Sequence, residues 1–271
     1  MADDQVAQWM CSWTVHNPSF DVWFWTDSGV RRLLDLYFPA WLVELYDSYP
    51  LAINRADLRK YVVLYAVGGV VADLDVECLR PLTPLLDRLQ LSQHGCVVGQ
   101  EPRLHREFLY SAGAEPYVTT AVIACRPQHP FVRFVLGLLP RYADNADKLR
   151  WNDNVLNSTG PTFLSEALRH YKIKAIQKET DEVDDLFVAP SRWLTPTYDP
   201  LHTARFQTEC LLRGTRSSTR RRPAACDDVL RNRPDSDSYT THHWLHSWAD
   251  GFVHGPLVNV TRLTRITRLI T

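Results

Sequence analysis

Two aspartates at alternate positions, Asp73 and Asp75, follow a short apolar segment. That segment, Val70–Ala72, comes directly after Gly68-Gly69 and predicts a short strand that begins after a turn. Strand ends in open α/β sheets face the ligand crevice. Two carboxylates there suit a hard divalent cation, which prefers oxygen ligands and often shares them with phosphates. The pair therefore predicts a metal site, and two solvated loop acids are the alternative.

The residues before this strand predict a helix. Apolar side chains recur at helical spacing over residues 54–67, and Gly68 is the expected end of the helix. Its first turns carry three charged residues of interest, Arg55, Asp57 and Lys60. Because Asp57 and Lys60 are three positions apart, an ordinary surface ion pair explains them without any function.

Strand-like and helix-like segments alternate along residues 22–171. Val22–Thr26 is apolar and aromatic, as in a buried strand, and Asp27 and Ser28 offer N-cap chemistry for a helix over 30–37. Further helices are expected at 40–49, 131–139 and 162–171, and further strands at 96–98 and 118–124. This alternation predicts an α/β fold with a mainly parallel sheet flanked by helices.

Composition restricts the class of protein. The chain has 271 residues, 45% of them hydrophobic, and a formal net charge of −1, so neither wholesale disorder nor an overall electrostatic grip on nucleic acid is indicated. The six cysteines show no CxxC spacing, which argues against structural zinc. We expect no signal peptide and no transmembrane segment in this chain. The arginine-rich segment 213–238 is predicted to be an exposed loop.

Several motifs together resemble one known family. The stretch RADLRKYVVLYAVGGVVADLDVECLRPL, residues 55–82, is similar to the DXD region of glycosyltransferase family 32, the DXD-motif glycosyltransferase sugar-binding family. That family includes yeast Golgi mannosyltransferases and inositol-phosphoceramide mannosyltransferases. Four further stretches agree in order: NPSFDVWFWTD (17–27), RPQHPF (126–131), STGPTFL (158–164) and HHWLHSW (242–248).

The resemblance implies a GT-A-like fold and a retaining hexosyltransferase. The donor would be a nucleotide-diphosphate sugar held through Mn²⁺ or Mg²⁺, and the acceptor a glycan or a lipid. A single glycosyltransferase domain would span 13–250, followed by a C-terminal tail over 251–271. The location implied is the Golgi lumen if a membrane anchor was lost from the N-terminus, and the cytoplasm otherwise.

The resemblance also implies roles for residues. Asp73 and Asp75 would bind the metal and the donor, and Arg55 and Asp57 would reach the donor sugar or its diphosphate from the preceding helix, together with Lys60. In such a transferase the departing nucleoside diphosphate gains negative charge, which a metal and cationic side chains stabilise.

A second cluster lies in the late stretch 242–248. One of its two histidines would complete the metal shell through a neutral imidazole nitrogen, and we expect it to be His243. Ser247 and Trp248 would donate hydrogen bonds to a diphosphate oxygen. An aromatic-rich core segment would explain the same residues. Gly160 and Pro161 are assigned to the donor-binding set, although a tight turn that opens a helix explains them equally.

Three departures from the family pattern leave alternatives open. Lys60 stands where the family usually has arginine, Val71 stands where it has tyrosine, and the usual first strand is absent, as in a truncated gene product. A catalytically inactive relative that acts as a binding module would account for these. A haloacid-dehalogenase-like phosphatase also uses an Asp-x-Asp, but it would have Thr or Val where Glu77 stands.

Overall fold

The computed structural model describes residues 2–89, 95–105, 116–143, 151–178, 186–215, 232–246 and 268–270. Its helices are α1 (Ala2–His16), α2 (Asp27–Tyr37), α3 (Ala40–Ser48), α4 (Ala52–Ala66), α5 (Thr83–Arg88), α6 (Pro130–Ala143), α7 (Trp151–Ser158), α8 (Pro161–Lys178), α9 (Ser191–Leu194) and α10 (Pro200–Thr215). Its strands are β1 (Trp23–Trp25), β2 (Gly69–Ala72), β3 (Val76–Cys78), β4 (Cys96–Gln100), β5 (Val118–Cys125), β6 (Leu186–Ala189), β7 (Thr240–His242) and β8 (Arg268–Ile270).

The largest sheet has the strand order β2-β5-β4-β6. Strand β5 pairs antiparallel with both β2 and β4, and only the β4–β6 pair in this sheet is parallel. The α/β class is therefore confirmed, but the expected mainly parallel sheet is wrong, because the sheet is mixed. All eight residues of β5 are buried, so this antiparallel strand has the continuous apolar sequence that is typical of parallel sheets.

Two apolar clusters cover the two faces of this sheet. Side chains alternate along β5, so Ile123 joins one cluster while Val122 and Ala124 join the other. The first cluster is built with helices α2, α3, α4, α6 and α8. The second includes residues of β3, α5 and α9, with Trp13 of α1 packed against it. The sheet therefore lies between two layers, and α4, in the first of them, contacts β2 and β5.

Most of the expected helices and strands are present, with shifted ends. Helix α2 begins at Asp27 because Thr26, one residue earlier than expected, is the N-cap and accepts a hydrogen bond from the backbone N–H of Gly29. Helix α10 continues to Thr215, into the segment expected to be a loop, and residues 216–231 lie outside the described residues.

The N-terminal helix and the last strand bear on the expected domain limits. Helix α1 packs on β3, and the Trp13 indole donates to the carbonyl oxygen of Val76 at 2.9 Å. Strand β8 pairs in parallel with β1. The limits 13–250 for the domain and 251–271 for a tail stay predictions. Within the ranges that the structure describes, no helix is both long and apolar enough to cross a membrane.

Helix α4 ends at a turn that requires glycine. Gly68 has φ +74°, and its N–H donates to the carbonyl oxygens of Val63 and Leu64 at 3.2 and 3.0 Å. A Cβ atom on Gly68 would lie 2.5 Å from Cδ of Pro127. The turn therefore allows both the left-handed backbone and the close approach of the segment after β5. It reverses the chain, so that β2 runs back alongside α4.

We expect Gly68→Ala to lower the free energy of unfolding by about 2 kcal/mol or more, because it combines a left-handed backbone with a clash. Gly137→Ala is the matched control. Gly137 lies on the exposed side of α6, and an added Cβ there meets no atom within 4 Å. That change should stabilise the protein by about 0.5–1 kcal/mol through helix propensity. Urea denaturation of both variants measures this, and equal stability of the two would contradict the account of the turn.

Candidate metal centre

Strands β2 and β3 hold the two aspartates on either side of a tight turn. The N–H of Asp73 donates to the carbonyl oxygen of Ala121 at 2.9 Å, which extends the β2–β5 ladder by one residue. The N–H of Val76 then donates to the carbonyl oxygen of Asp73 at 3.1 Å. Asp75 is thus held in the turn just before β3. The predicted position of both carboxylates at a strand end is confirmed.

A late strand brings a histidine to this turn. Strand β7 pairs antiparallel with β3 in a register that places His242 opposite Val76. Nε2 of His242 lies 3.2 Å from Oδ2 of Asp75. Among the described residues, the side chains of Asp73, Asp75 and His242 form a group whose ligand atoms all lie within 4.8 Å of one another.

This group fits a divalent cation. It offers two carboxylate oxygens and one imidazole nitrogen, which is a donor set suited to Mn²⁺ or Mg²⁺. Each of the three side chains is partly buried, so the remaining coordination positions can be filled by water or by phosphate oxygens. The arrangement can therefore hold a cation, and the partial exposure of its side chains allows further oxygen ligands to reach it.

The charges around Asp75 keep its carboxylate ionised. Burial acts to raise the pKa of Asp75, but the His242 imidazole and the backbone N–H of Leu245, which donates to Oδ2 at 2.9 Å, together hold that pKa below its usual range. In turn, burial alone would lower the pKa of His242, and the carboxylate of Asp75 raises it. A deprotonated carboxylate is the form that binds a metal.

Asp73 is tied to a buried lysine. Nζ of Lys60, on α4, lies 2.6 Å from Oδ1 of Asp73, 3.1 Å from Oδ1 of Asp57 and 3.2 Å from the carbonyl oxygen of Thr120. These three acceptors match the three hydrogens of an ammonium group. Burial alone would lower the pKa of Lys60, but the carboxylates of Asp73 and Asp57 raise it above its usual value. The lysine is therefore a fixed positive charge behind the metal group.

The surface ion pair considered for Asp57 and Lys60 is wrong, because only 3% of Asp57 and 8% of Lys60 are exposed. Burial raises the pKa of Asp57 to about 6, and the Lys60 charge opposes that rise. Oδ2 of Asp57 accepts a hydrogen bond from the Thr159 hydroxyl at 3.2 Å. Asp57 therefore belongs to an internal chain of polar groups that ends at Asp73. Its expected contact with a donor sugar stays a prediction.

The other predicted site residue on α4, Arg55, has a different partner. Its guanidinium donates to the carbonyl oxygen of Tyr49, in the connection between α3 and α4. Because Arg55 lies two positions before Asp57, it projects from another face of the helix. None of the hydrogen bonds described for Arg55 joins it to Asp57, Lys60 or Asp73. Its predicted contact with the donor stays a prediction.

The histidine assignment changes from His243 to His242. Nε2 of His243 lies 2.9 Å from Oε2 of Glu77, and its ring stacks on Trp9 with centroids 3.9 Å apart. Neighbouring residues at a strand end point to opposite sides, so only one histidine of the pair can face Asp75. The β3–β7 register selects His242, and that register is a long-range feature with no local sequence signal.

The remaining predicted residues fall in two groups. Gly160 and Pro161 form the turn between α7 and α8, where the N–H of Gly160 donates to the carbonyl oxygen of Val155 at 3.0 Å and Pro161 begins α8. The turn interpretation is thus confirmed, and a role in donor binding stays a prediction. Ser247 and Trp248 lie outside the described residues.

Sequence reasoning missed a support behind His242. The ring of Trp244 lies 4.1 Å from that of His242, and the ring of His105 meets Trp244 edge-on at 4.9 Å. Nδ1 of His105 is 2.8 Å from Oε2 of Glu101, and its Nε2 accepts from the backbone N–H of Asp199 at 3.0 Å. These residues come from three separate segments, around 101–105, 199 and 242–244, so no motif spacing could have revealed the cluster.

Similarity to known proteins defines the class. Residues 3–92 match the family described as "Glycosyltransferase sugar-binding region containing DXD motif". This match includes α4, both aspartates and β3. The predicted resemblance to this family is confirmed over residues 3–92. The α/β architecture with its mixed sheet is consistent with the GT-A-like fold that the family implies.

Two similar proteins come from yeasts. The chain is 34% identical over 149 residues to inositol phosphoceramide mannosyltransferase 3 of Schizosaccharomyces pombe, covering 55% of this chain and 36% of that protein. It is 28% identical over 192 residues to mannosyl phosphorylinositol ceramide synthase SUR1 of Saccharomyces cerevisiae, covering 70% and 42%. The chain thus spans less than half the length of these two relatives. The solved PaToxG glycosyltransferase is similar with a TM-score of 0.41 and 16% identity, over 84% of this chain and 78% of that one.

We expect His242→Ala to weaken Mn²⁺ binding at least about tenfold, because the variant loses one ligand atom. His243→Ala is the matched control at the adjacent position, and it should change the Mn²⁺ affinity by less than about twofold. Isothermal titration with Mn²⁺ measures both. The geometry would be refuted if His243→Ala weakened binding while His242→Ala did not.

Proposed function

We propose that this protein transfers a hexose from a nucleotide-diphosphate sugar to a hydroxyl of a glycan or lipid acceptor, with retention and with a divalent cation. The observation that carries this proposal is the group formed by Asp73, Asp75 and His242 at a strand end. The matched DXD family supports it. The two yeast relatives are named as an inositol phosphoceramide mannosyltransferase and a mannosyl phosphorylinositol ceramide synthase. We therefore propose mannose as the sugar and a phosphoinositol lipid as the acceptor class.

The residues of the site divide the work. Asp73, Asp75 and His242 would hold Mn²⁺ or Mg²⁺, which supplies positive charge for the diphosphate oxygens when it is bound. Lys60 holds the Asp73 carboxylate from behind at 2.6 Å. The hydrogen bond from the Leu245 N–H and the His242 contact hold Asp75. Both carboxylates are thus fixed before a ligand arrives, which limits the reorganisation needed in the transition state.

The proposed transfer exchanges one bond of the sugar for another. The bond between the anomeric carbon and the diphosphate oxygen breaks, and the bonding electrons leave with the diphosphate. The acceptor hydroxyl oxygen bonds to the anomeric carbon on the same face, and its proton leaves with the diphosphate. Negative charge therefore develops on the diphosphate oxygens, and a cation held by Asp73, Asp75 and His242 would supply positive charge for it. The Golgi location implied by the family resemblance stays a prediction.

We expect a divalent cation and a nucleoside diphosphate to stabilise the protein together. Each ligand that binds the native state raises the melting temperature by mass action, and a bridging cation makes the combined rise exceed the sum of the separate ones. Thermal shift with Mn²⁺, with a panel of nucleoside diphosphates, and with both measures this. A nucleotide shift that is identical with and without Mn²⁺ or Mg²⁺ would contradict the metal bridge.

We expect Asp75→Asn to lower the transfer rate at least ~100-fold while the fold survives, because a charged ligand is lost and the side-chain shape is kept. Mn²⁺-dependent release of nucleoside diphosphate from the donor measures the rate, and circular dichroism measures the fold. An unfolded variant would instead assign Asp75 a structural role. If the wild-type protein binds the donor with Mn²⁺ but releases no product, it is a binding module and not a transferase.

A further inference from the structure

A buried chain of polar side chains runs from the turn after α7 to the metal group. In that turn the Thr159 hydroxyl accepts from Asn54 of α4 and donates to Asp57, and the chain of polar groups continues through Lys60 to Asp73. We propose that Thr159 is a positioning residue, whose hydroxyl fixes the Asp57 carboxylate and thereby sets how firmly Lys60 holds Asp73 in place for the cation. This inference rests on the proposed function, because it concerns the same metal group.

The direction of the hydrogen bonds is determined by the donors available. Nδ2 of Asn54 donates to Oγ1 of Thr159 at 3.0 Å, so the single hydroxyl hydrogen of Thr159 is free to point elsewhere. It points to Oδ2 of Asp57 at 3.2 Å. The amide nitrogen of Asn54 can only donate, and the ionised carboxylate of Asp57 can only accept. The two hydrogen bonds of the Thr159 hydroxyl therefore have one possible direction.

Thr159 itself is held rigidly and is fully buried. The hydroxyl of Tyr61 donates to its backbone carbonyl oxygen at 2.7 Å, and its own N–H donates to the carbonyl oxygen of Val155 at 3.3 Å. The Tyr61 ring packs against Phe163 of α8, with centroids 6.1 Å apart. The position of the hydroxyl is therefore set by the backbone of the α7–α8 turn and by packing, and not by Asp57 itself.

Lys60 is shared between two carboxylates, so the position of Asp57 affects how closely Lys60 contacts Asp73. Its ammonium lies closer to Asp73, at 2.6 Å, than to Asp57, at 3.1 Å. If Oδ2 of Asp57 loses its donor, the buried carboxylate keeps Lys60 as its remaining hydrogen-bonding side chain and attracts it more strongly. The ammonium then moves away from Asp73, which frees the metal carboxylate to turn away from the metal position.

The experiment compares four proteins by isothermal titration with Mn²⁺ alone. Thr159→Val removes the hydroxyl at nearly constant shape, Thr159→Ser restores it, and Thr162→Val is the matched control. Thr162 is also a threonine at this turn, but its hydroxyl lies 2.8 Å from the Tyr117 hydroxyl. Thr159→Val should bind Mn²⁺ about tenfold more weakly, as is typical for the loss of a residue that orients a ligand, while Thr159→Ser and Thr162→Val should stay within about twofold of wild type.

The Mn²⁺ dependence of the transfer rate distinguishes a positioning role from a general loss of stability. If Thr159 acts through the cation, Thr159→Val should raise the Mn²⁺ concentration needed for half-maximal transfer, while turnover at saturating Mn²⁺ stays close to wild type. Wild-type Mn²⁺ affinity in Thr159→Val overturns the inference. So does an equal loss of affinity in Thr162→Val, because the effect then belongs to the stability of the turn.

Failure of the proposed function is distinguishable from failure of this inference. If the wild-type protein binds no Mn²⁺, or if Asp75→Asn binds it as well as wild type, the metal group itself is refuted. If Asp75→Asn abolishes binding but Thr159→Val does not weaken it, only the positioning role is refuted. Thr159→Ala serves as a second variant if Thr159→Val does not fold. Should both fail to fold while Thr162→Val folds, Thr159 is a folding residue and the inference is overturned.

Discussion

A buried ammonium group between two carboxylates organises this site. Lys60 joins Asp57 and Asp73 inside the protein, where removal of one partner from a buried ion pair typically costs about 3–5 kcal/mol. The three groups must therefore stay together, and the helix and strand that carry them must keep their relative position. The Thr120 carbonyl oxygen takes the remaining ammonium hydrogen and ties the lysine to the centre of the sheet. A small displacement of α4 would therefore break the contacts of Lys60 with Asp73 and with the Thr120 carbonyl oxygen together.

A sharp reversal of the chain between α4 and β2 brings Lys60 and Asp73 together. Helix α4 ends at Gly68, whose left-handed backbone and missing side chain let the chain turn beside Pro127 and return as β2. Because β2 runs back along α4, the carboxylate just after the strand reaches a lysine two turns before the end of the helix. The same reversal places Asp73 and Asp75 at the strand end, with the Lys60 ammonium against the Asp73 carboxylate. The glycine turn and the buried lysine are thus parts of one arrangement.

The third residue of the candidate metal group comes from a distant part of the chain. Strand β7 brings His242 to Asp75 through its pairing with β3, and Trp244 and His105 pack behind it. His243, at the next position, faces Glu77 and Trp9 instead. The metal group therefore depends on two separate structures, the α4–β2 reversal and the β3–β7 ladder. A cation would join them, because its ligands come from both.

Local sequence was enough to predict the helix before Gly68, the strand that ends at Asp73 and the metal-binding character of the Asp-x-Asp pair. Those features depend on neighbouring residues: apolar spacing, a glycine that permits a left-handed turn, and two carboxylates at a strand end. Tertiary structure decided the rest. Strand direction in the sheet, the burial of Asp57 and Lys60, and the choice of His242 over His243 all depend on pairing between distant segments. A single sequence carries no local signal for such pairing, since the same apolar run fits a parallel or an antiparallel neighbour and adjacent histidines differ only in the face that the register gives them.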